Sequence, residues 1–153
     1  MDAKPSAGKD MAAAKLSVKE LERRLRAEFP GVLGGDEGFA IEAVWHGGAR
    51  VRKHCGPLSL RPGGTIAGTA MMAVADFATY VAVLATIGWE PLCVTTNLNI
   101  NFLKKPAPRD LLAEARLIKL GKRLAVADIA IRSEGDVDLV AHATSTYSIP
   151  PRR

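Results

Sequence analysis

Asp76 is the one charged side chain in the longest apolar stretch of the chain, Ala67 to Ile87. An ionised carboxylate without a partner costs several kcal/mol to bury, so an acid placed there has either a task or a structural arrangement that satisfies it. The task would be proton abstraction or nucleophilic attack. The alternative is an exposed stripe on the helix or a structural hydrogen bond, and the residue types alone weigh the two evenly. Just ahead, Gly63-Gly64-Thr65-Ile66-Ala67-Gly68-Thr69 places glycine where the first turn of a helix leaves its N–H groups unpaired. Such donors point at whatever lies ahead of the helix, and a glycine-rich helix start is a weak signal by itself.

Other chemistries find less support. Cys55 and Cys93 lie far apart, without CxxC or Cys/His ligand spacing, which points to a reducing compartment and to packing. No metal is expected. The net charge of +5 comes from Lys and Arg scattered among acids, and aromatics amount to only 5%, so nucleic acid is not an expected partner. Residues 1–15 carry charges throughout and no signal-peptide apolar region, and they read as a flexible leader to a single domain spanning 16–153. The cytoplasm is the default location. Ala67 to Ile87 is long enough to span a bilayer, but Asp76 sits at its middle and no basic residues flank it. A helix buried inside the domain is the expectation, with no membrane partner.

The elements that must position these residues follow from periodicity. Ser17 and Glu20 form a capping-box pattern before Val18, Leu21, Leu25 and Phe29, so a short amphipathic helix ends at Pro30-Gly31. Alternation over 39–46, a Gly47-Gly48 turn and an extended run over 49–54 predict a hairpin. The buried helix starts near Ala67 and stops at Gly88. From Val94, a period of two puts Val94, Thr96, Leu98, Ile100 and Phe102 on an expected core face. Three more runs, 111–120, 124–132 and 139–149, are separated by Gly121-Lys122-Arg123 and Glu134-Gly135-Asp136. Connections this short make antiparallel neighbours. The expected architecture is α+β: a leading helix, a hairpin, and a four-stranded antiparallel meander wrapping one long helix. At 153 residues the chain can bury one sizeable core.

The segment RPGGTIAGTAMMAVADFATYVAVLATIG, followed by VTTNLNINFLKKPAP and LVAHATSTYSIP, resembles the hotdog-fold thioesterases of the phenylacetate-pathway type over about residues 35–150. The resemblance implies an antiparallel sheet wrapped around a long central helix, and hydrolysis of acyl-coenzyme A to free acid and coenzyme A. It implies that Asp76 is the general base or nucleophile, that the Gly68 N–H polarises the carbonyl, and that Thr95 positions water. Substrate-binding candidates are Thr69, beside Gly68, and Arg61, which is either a substitute donor or a solvated loop residue. Lys104, Lys122 and Arg123 lie where the coenzyme A phosphates would sit, and solvated turn positions explain each of them equally well. No cofactor is implied beyond the coenzyme A of the substrate.

Two departures stand out: the family histidine is Ala67 and the asparagine is Arg61. The absent histidine also argues against the hydratases of this fold, since His46, His54 and His142 all fall outside the helix and the strand after it. The resembling family is a homo-oligomer with active sites at the dimer interface, and a dimer of dimers is within its range. Helix geometry agrees, because Gly68 and Asp76 are eight positions apart, ~12 Å along one helix, too far to act on one carbon. The other expectation is a non-catalytic hotdog module that binds acyl thioesters or a protein partner.

Overall fold

A computed structural model describes residues 12–151. Ser17 caps α1 (Val18–Glu28), its hydroxyl accepting the Glu20 N–H at 3.1 Å, and Leu21 and Leu25 are fully buried. The chain is already docked ahead of this helix, because the Ala12 carbonyl accepts from His46 N–H and Lys15 N–H donates to Ala85. Residues 1–11, most of the expected leader, lie outside the described residues.

The hairpin forms as β1 (Phe39–Trp45) and β2 (Gly48–Lys53). Its two glycines serve different ends. Gly47 takes a positive φ of 90° in the turn, whereas Gly48 lies under the Trp45 indole, where a Cβ would come within 2.3 Å of Nε1. A bulge between Ile41 and Ala43 interrupts the alternation expected along β1.

The long helix α2 (Gly68–Ile87) ends at Gly88, which adopts φ 105° and returns its N–H to the Leu84 carbonyl. It is long and apolar enough to cross a membrane, but most of it is buried within the domain. Ala75, Ala78, Ala82 and Ala85 on the helix face a sheet whose inward residues include Ala49, Ala113, Ala127 and Ala143. Small residues on both sides let the sheet curl closely around the helix without voids. The buried hydroxyls of Thr79 and Thr86 donate to carbonyls one turn back, Ala75 and Ala82.

The remaining strands are β3 (Val94–Phe102), β4 (Leu111–Leu120), β5 (Leu124–Ser133) and β6 (Leu139–Ser148), and the six-stranded antiparallel sheet has the order β1-β2-β4-β5-β6-β3. This is the hotdog arrangement, with one correction to the expected topology. The three strands joined by tight turns are neighbours, but β3 does not join their meander next to β4. It pairs with β6 at the sheet edge, and β4 pairs with β2. The Leu103–Asp110 link carries Pro106 and Pro108 and is too long to fold back as a tight turn. The core face expected for β3 also changes. Leu98 and Ile100 are half-buried, but a bulge between Thr95 and Asn97 breaks the alternation, and Val94 and Phe102 are 56% and 51% exposed.

Candidate active site

The part of α2 that escapes burial is a narrow stripe comprising Gly68, Thr69, Met72, Ala73, Asp76, Tyr80 and Ile87, the spacing of one helix face. Asp76 is thus half-buried, with its carboxylate turned toward the junction of β3 and β6. There Thr95 and Tyr147 are opposite one another in the register. The Thr95 hydroxyl donates to Asp76 Oδ1, and the Tyr147 hydroxyl donates to the same oxygen at 2.7 Å. The Tyr147 oxygen also lies 3.0 Å from the Asp76 main-chain carbonyl.

Asp76, Thr95 and Tyr147 line a cavity of about 480 Å³, together with Phe29, Phe39, Phe77, Tyr80 and the Pro91–Val94 segment. Phe39 and Phe77 stack with ring centroids 4.3 Å apart. Phe29, expected to continue the apolar stripe of α1, instead ends that helix and is 52% exposed beside the cavity. Burial pushes the Tyr80 hydroxyl up to about 12 and the Cys93 thiol up to about 11, so both stay neutral at ordinary pH. Burial pushes Tyr147 up further, the Asp76 charge adds to it and the Thr95 hydroxyl opposes it, so the phenol keeps its proton.

Gly68 stands apart from this group, at the first position of α2. Its N–H has no partner among the described residues, and Ala67 before it offers no side-chain cap. A Cβ at Gly68 would meet the Phe102 ring at 3.2 Å, so the glycine also permits a close contact. The helix start is anchored from behind. Glu37 accepts the Leu58 N–H and the Ser59 hydroxyl, and the Ser59 carbonyl accepts the Ala67 N–H at 2.8 Å. The Ser59 bond is the main reason the Glu37 carboxyl is held below its ordinary range.

Of the sequence candidates, the structure therefore brings together Asp76 and Thr95. Gly68 and Thr69 lie at the far end of the stripe. Arg61 is exposed in a turn, where its N–H donates to the Thr65 carbonyl. Lys104 is held by Asp136 at 2.9 Å and by Asp138 at 3.7 Å. Lys122 and Arg123 are exposed at the β4–β5 turn and form no ion pair among the described residues. His54 and His142 pair with Asp110 and Asp128, away from the cavity. Among the described residues no three His, Cys, Asp or Glu side chains gather as a metal site would require. Sequence reasoning missed Tyr147, whose one signal is its place opposite Thr95, visible only once β3 is paired with β6.

The family profile described as "Thioesterase superfamily" matches residues 63–140, from the turn before α2 into β6. The chain belongs to the thioesterase superfamily. A further relative, from Saccharolobus solfataricus and named "Putative esterase", is 31% identical over 134 residues, covering 88% of this chain and 86% of its own. Among solved structures, one from Silicibacter sp. TM1040, titled a "putative thioesterase", is 43% identical with a TM-score of 0.81, over 93% of this chain and 97% of that one. A Streptococcus mutans protein solved with acetyl-CoA shares the fold at 22% identity and a TM-score of 0.67, over 80% of this chain and 97% of its own. For this thioesterase-superfamily chain, the family match and the likenesses of 31% and 43% identity support hydrolysis of thioesters as the general reaction.

Proposed function

We propose that the protein hydrolyses acyl-coenzyme A thioesters, with Asp76 acting on the thioester and the Gly68 N–H of a second copy stabilising the oxyanion. The observation that carries this reading is Asp76 itself, an aspartate at the wall of a largely apolar cavity on a mostly buried helix. As general base, Asp76 takes a proton from water while the water oxygen bonds to the thioester carbon. The carbonyl electrons move to the oxygen facing Gly68. Collapse of the tetrahedral intermediate breaks the carbon–sulfur bond, and the thiolate recovers the proton as coenzyme A leaves. As nucleophile, Asp76 attacks the thioester carbon and the carbon–sulfur bond breaks to expel the thiolate; water then opens the resulting acyl anhydride, freeing the acid, restoring the carboxylate and giving its proton to the thiolate.

The free N–H of Gly68 supports the donor role, and its distance from Asp76 along one helix supports a site shared by two copies. The apolar edge of β3, with Val94, Phe102 and Leu103 exposed, is suited to face that second copy. Acetyl-CoA in the Streptococcus mutans relative supports coenzyme A as the carrier. We assign its phosphates to Lys122 and Arg123, which have no acidic partner to give up, and to Lys104 only by exchange of Asp136. Five of the eight aromatic residues of the chain line the cavity, which suits an aryl acyl group of the phenylacetate-pathway type. Thiol release measured over short, medium, long and aryl acyl-CoAs is the test, with the aryl esters expected to give the highest kcat/KM. No release from any of them would overturn the reading.

Ala67 and Arg61, where the resembling family has histidine and asparagine, favour a second reading: a module that binds acyl thioesters without cleaving them. Saturable acyl-CoA binding without thiol release would select it.

A further inference from the structure

Asp76 accepts two hydrogen bonds, and both end on one oxygen. Thr95 reaches Oδ1 from β3, and Tyr147 reaches it from β6, the strand alongside. Oδ2 has no partner among the described residues. The two donors differ in accessibility. Thr95 is exposed on the edge strand, whereas Tyr147 is 3% exposed and packed among Val83, Cys93, Ala125 and Ile149. This packing holds the phenol in place beside the cavity. Its oxygen also lies within 3.0 Å of the Asp76 carbonyl, so the same group is referenced to the helix backbone and to the side chain. A carboxylate on a single helix position otherwise rotates freely about its terminal bond, because that torsion is broad.

We propose that Tyr147 is a positioning residue that, together with Thr95, pins Oδ1 of Asp76 and leaves Oδ2 as the only oxygen presented to the thioester. The inference rests on Asp76 acting in hydrolysis as set out above. In this arrangement Thr95 holds the carboxylate rather than the water. A carboxylate fixed in this way starts in the orientation that attack requires and loses little freedom on reaching the transition state. The clamp should therefore act on kcat and leave binding alone.

The test compares kcat and KM for Tyr147→Phe, Thr95→Val, Thr95→Ser and the Tyr147→Phe/Thr95→Val double variant, with Asp76→Asn as the reference. Tyr147→Phe keeps the ring and Thr95→Val keeps the β-branch, so packing is preserved in both. Each single removal of a hydroxyl should lower kcat on the order of tenfold at unchanged KM, with the melting temperature within a few degrees of wild type. Thr95→Ser should restore most of what Thr95→Val loses. The double variant should lose more than the product of the singles, because either donor alone still restrains the oxygen. If Asp76→Asn is inactive while the hydroxyl variants keep wild-type kcat, the clamp is refuted and the hydrolytic reading stands. If Asp76→Asn is itself active, the underlying reading fails first. A fall in kcat that merely follows a loss of folded protein, or that comes with an equal rise in KM, also overturns the clamp. Should Tyr147→Phe fail to fold, the contrast between Thr95→Val and Thr95→Ser decides, and equal rates for these two refute it.

Discussion

Asp110, just before β4, and Asp76, on α2, are both partly buried aspartates with several donors around them, and they differ in what is left over. At Asp110 both oxygens are occupied. Oδ1 accepts the Cys55 N–H at 3.1 Å, while Oδ2 is bound by Arg52 at 3.2 Å and by His54 at 3.1 Å. Burial alone would raise its pKa, but these donors outweigh burial and hold it below the ordinary value. At Asp76 the two donors are neutral hydroxyls on one oxygen, and no cation pairs with the carboxylate among the described residues. One aspartate is spent on joining β2 to β4. The other keeps an oxygen in reserve beside a cavity.

If that difference is one of function, the two aspartates should fail in opposite ways. Asp76→Asn should lower kcat by several orders of magnitude while the melting temperature stays within a few degrees, since the swap preserves shape. Hydrolysis near the wild-type rate would remove Asp76 from the chemistry. The contrast sharpens across two copies. Asp76→Ala and Gly68→Pro should each be inactive, the proline removing the N–H at a first helical position whose backbone accepts it, with the Phe102 ring giving way by a few tenths of an ångström to the added Cβ. After the two are unfolded and refolded together, about half the dimers are mixed with one intact site each, so activity should return to about a quarter of wild type. Mixed dimers that stay inactive would place both groups within one chain.

Asp110→Ala should show the reverse pattern, leaving kcat of the folded protein unchanged and costing about 1–3 kcal/mol of stability. In calorimetry that is roughly 2–4 °C per kcal/mol. Because the folded pKa of Asp110 is depressed, its contribution is complete above the unfolded value near 3.9 and is lost as pH falls through the lower folded value. The stability gap between wild type and Asp110→Ala should thus close in acid below about pH 4 and stay open at neutral pH. The smallest effect concerns the exposed turn. If Lys122 and Arg123 meet the coenzyme A phosphates, KM should rise severalfold with added salt, because exposed charges are screened over about 8 Å near physiological ionic strength. A KM indifferent to salt would leave them as solvated surface.

What could be read from the sequence was whatever local chemistry determines. Ser17 and Glu20 marked α1, the apolar run and Gly88 marked α2, and the turns at Gly121 and Gly135 marked the β4–β5–β6 meander. Asp76 stood out because a charge in an apolar helix is conspicuous without any fold. The placement of β3 was not legible, since its pairing with β6 depends on a crossover that no tight turn specifies. Tyr147 was lost with it. In sequence it is one more inward residue of a strand, and only the Thr95–Tyr147 register brings its hydroxyl to Asp76. The cavity was hidden for a similar reason, because Phe29, Phe39 and Phe77 come from three separate elements.

The edge position of β3 also sets an order of events during biosynthesis. β3 emerges from the ribosome before β4, β5 and β6, yet its strand partner within the chain is β6. Until β6 is made and seated against β5, the β3 backbone has nothing to pair with, and Leu98 and Ile100, half-buried in the finished fold, are bare. Closing so long a loop is entropically slow. Thr95 and Tyr147 meet only at that final docking. Where Asp76 acts as proposed, a nascent or partly melted chain has the helix and its carboxylate but not the two donors on Oδ1, and the full hydrolytic rate waits for the finished fold.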